Sequence, residues 1–86
     1  MRESVNTGDL KVGDVIEVGA DHYGVVRRIY RNPGANDAPQ AEVLDNHGDE
    51  SLWTDAFSSV PGQYLRVGEG CEPTLEALKK FVQALK

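Results

Sequence analysis

Several residue types are scarce in this 86-residue chain, and each shortage removes a class of protein. There is one cysteine, Cys71, so an internal disulfide is excluded and a reducing, cytoplasmic setting is the expectation. With that cysteine come only two histidines, His22 and His47, which the sequence places in separate turns. A structural zinc site usually takes four nitrogen or sulfur ligands. No metal site and no cofactor are therefore expected. Mean hydropathy is −0.44, and no apolar run approaches the roughly 20 residues of a membrane-spanning helix. The opening MRESVNTGD lacks the basic and apolar regions of a secretory signal.

Positive charge is scarce in one half. Residues 36–72 hold Arg66 alone against eight acidic side chains, and the net charge of the chain is −5. Nucleic-acid binding draws most of its affinity from phosphate neutralisation, so this balance disfavours a broad nucleic-acid surface. Catalytic groups are also missing. Gly68-Glu69-Gly70 has neither the lysine nor the strand-to-helix context of a phosphate-binding loop. Cys71 is flanked by acids, which raise a thiol pKa, and Ser58-Ser59 has no base to match. The expectation is a single non-catalytic domain over residues 1–86.

What the chain does contain is strand signal. Gly13-Asp14 is turn chemistry, followed by the β-branched run Val15 to Val18. Tyr23 to Arg31 is the longest strand pattern. Neither of its alternating faces is purely apolar, which predicts a bulge or bend near Gly24. Residues 32–40 carry two prolines and read as a long loop. Ala41 to Asp45 is a third strand, Asn46 to Asp49 a turn with Gly48 at positive φ, and Glu50 to Thr54 a fourth strand. A single helical turn is expected at Asp55 to Phe57, a loop to Gln63, and a fifth strand at Tyr64 to Val67. From Pro73 the period becomes helical, with Leu75, Leu78, Phe81, Val82 and Leu85 on one face and either Glu72 or Thr74 as the cap.

Five short strands with one long loop describe an SH3-like small β-barrel closed by a C-terminal amphipathic α-helix. The run Tyr23-Gly24-Val25-Val26-Arg27-Arg28-Ile29, then a loop, then Ala41 to Phe57 resembles a Tudor-type domain, and the resemblance covers residues 12–67. Lys11 to Ile16 is shared equally with KOW-type and other SH3-like barrels. In Tudor domains that read methylated side chains, a turn aromatic helps form a cage. Asn46 and His47 stand at that turn here, and only Tyr23 matches a cage position. The resemblance therefore implies the fold and not methyl-mark reading.

The one basic cluster is Arg27, Arg28 and Arg31 around Tyr30. It offers either a partner-binding patch or cross-strand pairing with Glu42 and Glu50. With Trp53 as an aromatic anchor and the 32–40 loop beside it, this cluster is the candidate contact surface for a protein partner. Two alternatives remain in the sequence. One is an acidic effector of mobile-element type that mimics nucleic-acid charge with Asp37 to Asp55. The other is a nucleic-acid-binding barrel working through Arg27, Arg28 and Arg31. The apolar helix face also fits a heptad seam, so the chain is expected to be a monomer or a weak homodimer through that helix.

Overall fold

A computed structural model describes residues 3–5, 9–19, 21–31, 39–54 and 64–85, with the side chains of Val18, Arg31, Pro39, Leu52, Trp53, Thr54 and Tyr64 outside that description. The elements are β1 (Glu3–Val5), β2 (Val15–Gly19), β3 (His22–Arg31), β4 (Pro39–Asp45), β5 (Glu50–Thr54), β6 (Tyr64–Gly68) and α1 (Leu75–Leu85). The strands form one antiparallel sheet in the order β1-β6-β2-β3-β4-β5.

The mainly-β class and the C-terminal helix follow the sequence pattern. Strand number and closure do not: there are six strands rather than five, and the sheet is not closed among the described residues. The added strand, β1, lies along the outer side of β6, where closure onto β5 would have to occur. It pairs Glu3 with Arg66, Ser4 with Leu65 and Val5 with Tyr64. Three residues are too short a run for alternation to be visible in sequence. Burial of Val5 holds the strand in place.

Apolar clusters lie on both faces of the sheet. Val15, Val25, Leu44 and Val67 meet Cys71, Leu78 and Val82 under α1. Ile16, Val26, Ala41 and Val43 meet Val5 and Leu10 on the other side, with Ile29 packed against them. Val26 and Ile29 are three positions apart and would face opposite ways on a regular strand. A bulge between Val26 and Arg28 makes Arg27 the extra residue and returns Ile29 to the Val26 side. The irregularity predicted near Gly24 thus falls later in the strand. Gly24 has its own task, because a Cβ there would come within 2.4 Å of Val43 Cγ1. β4 also begins two residues sooner than expected, with Pro39 at the first strand position, where a missing N–H is tolerated.

Thr74 caps the helix: its Oγ1 accepts from the Ala77 N–H at 3.2 Å. Leu78 and Val82 are buried, and Leu75, Ala77 and Phe81 pack against the same cluster. Leu85, expected on that face, is 42% exposed in the last turn. The face proposed as a seam for a second copy is therefore covered by the chain's own sheet. Gly68 lies under Phe81, and a Cβ on it would come within 1.9 Å of Phe81 Cζ.

Candidate interaction face

The bulge that turns Ile29 inward also arranges the basic residues. Val25 and Leu44 are register partners beneath the helix; one step along, Val26 and Val43 face the other side. Glu42 alternates back to the helix side opposite Arg28, and Gln40 lies opposite Tyr30. Arg27, Arg28 and Tyr30 thereby gather beyond the region α1 covers. Arg27 is ion-paired with Glu50 on β5. Arg28 is exposed, and the neighbouring Tyr30, together with Glu42, raises its guanidinium pKa still further. Tyr30 is 37% exposed, one of the few large apolar side chains open to solvent among the described residues.

Of the other candidates, Arg31 pairs through its backbone with Pro39 and Trp53 with Ala41. Their side chains are not among the described atoms. The loop over 32–38, the helical turn at Asp55 to Phe57 and the following loop lie outside the described residues.

Two further clusters were not assembled from the sequence. The first centres on Arg66, which the sequence offers only as the lone cation of an acidic half. Its guanidinium pairs with Glu3 on β1, reaches Asp14 Oδ2 at 3.2 Å and the Asp9 carbonyl at 3.4 Å, and lies 3.8 Å from Glu69. Lys11 adds a 3.5 Å contact to Glu69. Asp14 is fully buried, accepts the Lys11 N–H at 3.0 Å through Oδ2, and leaves Oδ1 without a partner. Burial raises its carboxyl pKa, helped by the Glu69 charge. The Lys11 hydrogen bond and charge only partly offset this. Arg66 spreads its guanidinium over three acceptors and the Glu69 charge, and its buried Nε has no hydrogen-bond partner.

The second cluster joins the start of β3 to the β4–β5 turn. Asp45 Oδ1 accepts the N–H groups of His47 and Asp49, both at 2.9 Å, and Gly48 supplies positive φ, so Asp45 organises the turn that follows it. Asn46, placed in the same turn, bonds outside it. Its Oδ1 accepts the Tyr23 N–H at 3.1 Å, its Nδ2 donates to the Asp21 carbonyl at 2.9 Å, and its own N–H donates to the Tyr23 carbonyl at 3.0 Å. This lock brings the two histidines out of their separate turns. Their ring centroids are 5.7 Å apart, and His22 Nε2 is 3.3 Å from Asp45 Oδ2. Asp45 loses hydration, which raises its pKa, yet the Asp49, His22 and His47 hydrogen bonds hold it below the usual carboxylate range.

Cys71 is buried in the helix-side cluster, and desolvation with the Glu72 charge pushes its thiol up. A surface cavity of about 320 Å³ at the start of α1 is lined by Glu72, Thr74, Glu76, Ala77 and Lys80, with no nucleophile–base pair. Among the described residues no helix is long and apolar enough to cross a membrane, and no group of three or more His, Cys, Asp or Glu side chains is arranged for a metal ion. Compared with protein-family models, curated proteins and solved structures, the chain finds no match.

Proposed function

We propose that this chain is a small, cytoplasmic, non-catalytic interaction module that binds a protein partner through the sheet face carrying Arg27, Arg28 and Tyr30. The observation that carries this reading is the exposed Arg28–Tyr30 pair on sheet that α1 leaves uncovered. Arginine and tyrosine are among the side chains enriched at protein interface anchors. Glu50 and Glu42 offset the charges of Arg27 and Arg28, so this surface lacks the unbalanced positive charge that phosphate binding needs. In the same reading the fold is SH3-like and closest to Tudor-type domains. The return of β6 to β2 beside the β2–β3–β4–β5 meander supports it.

The test is affinity capture with the wild-type chain and an Arg28→Ala/Tyr30→Ala variant whose fold is checked by circular dichroism. Captures are run at low and moderate salt, with and without nuclease. A protein retained at moderate salt, resistant to nuclease and lost with the variant is the expected result. Recovery of nucleic acid would overturn the reading. So would a basic protein held only at low salt and indifferent to the variant, because that behaviour belongs to the acidic surface.

A further inference from the structure

We propose that His22 and His47 form a two-imidazole site for a borderline divalent transition-metal ion (Zn²⁺, Ni²⁺ or Cu²⁺), with Asp45 orienting His22, and that the bound ion clips the start of β3 to the β4–β5 turn. Imidazole suits these ions, and nitrogen–metal bonds of about 2.0–2.1 Å at a tetrahedral angle put two ring centres on the order of 5 Å apart. The ring centroids here are 5.7 Å apart and the planes tilted by 46°, close to that separation.

The separation of the rings is set by the backbone. His22 directly precedes Tyr23 and His47 directly follows Asn46, and Tyr23 and Asn46 are joined by two hydrogen bonds. Asp45 then fixes both histidines, holding the His47 N–H with Oδ1 and the His22 ring with Oδ2. In this site His22 Nε2 donates to the Asp45 carboxylate and Nδ1 is the ring nitrogen that takes the metal. This is the carboxylate–histidine relation found behind metal-binding imidazoles. With no third ligating side chain among the described residues, the remaining coordination positions belong to water.

The test uses the untagged full chain and titration with Zn²⁺ or Ni²⁺ by calorimetry at neutral pH, with thermal melting alongside. One saturable equivalent is expected, together with a rise in melting temperature that grows with metal concentration. His22→Gln and His47→Gln should each abolish both effects, and Asp45→Asn should weaken binding by roughly 10-fold or more. Acidification should release the ion as protons compete for the imidazoles. The proposal is overturned if no saturable binding occurs, or if the His47 variant binds as the wild type does. It is also overturned if binding persists without any rise in melting temperature, because the clip would then be absent.

Discussion

Arg66 Nη1 lies 3.2 Å from Oδ2 of Asp14, a carboxyl with no exposed surface and a second oxygen that has no partner. Removing one member of a buried pair leaves the other uncompensated. Arg66→Met should therefore cost about 3–5 kcal/mol. Adding Asp14→Asn to that variant should recover part of the loss. A denaturant double-mutant cycle in which the two costs simply add would mean the pair is not coupled.

The same carboxyl gives a pH dependence. Its native pKa is raised, so between the unfolded value of about 3.9 and the native one the folded state holds more protons than the unfolded state. Asp14 therefore stabilises most below that interval, and its contribution declines as pH rises through it. Asp14→Asn should flatten this part of the stability–pH curve while leaving the opposite, acid-side loss contributed by Asp45.

At Gly68 a methyl group has no room, because it would meet Phe81 Cζ at 1.9 Å. Gly68→Ala should destabilise by about 1–3 kcal/mol through overpacking. Phe81→Leu on top of it should recover some of that loss by clearing the contact. Chemical denaturation measures both.

Asn46→Ala removes one acceptor and one donor that tie the β4–β5 turn to the start of β3. A cost of about 1–3 kcal/mol is expected. Asn46→Asp keeps the acceptor for the Tyr23 N–H and loses the donor to Asp21, so it should fall between wild type and alanine in urea melts.

Cys71 should react slowly with a thiol reagent at neutral pH, since it is buried and its pKa is raised. Its labelling rate should track the opened fraction of the protein, on the order of 10⁻³ or less of the rate in denaturant. Fast labelling of the native chain would show that the α1–sheet contact opens far more often than the packing implies.

Much of the sheet was legible because five strands place short apolar or β-branched stretches between turn residues, and α1 because Leu75, Leu78 and Val82 keep a helical period. What was hidden depends on non-local geometry. β1 has no pattern of its own and exists by pairing with β6. The bulge at Arg27 reassigns faces, so Arg28, Tyr30 and Ile29 could not be placed by parity counted from Tyr23. Asn46 looked like a turn residue and bonds the other hairpin instead. Leu85 kept the helical period yet fell beyond the cover of the sheet. The Arg66 cluster draws on residues spread from Glu3 to Glu69, and only charge scarcity hinted at it.

The pairing of β1 with β6 also bears on the order of folding. Glu3 and Arg66 are 63 residues apart, whereas the β2–β3 and β4–β5 hairpins close over short turns. During synthesis Val5 has no strand to pair with until Tyr64 emerges, so β1 is made long before it can find its place. Until then the β6-facing side of β2 is an open edge, and a nascent chain held at that stage presents a ready template for another strand.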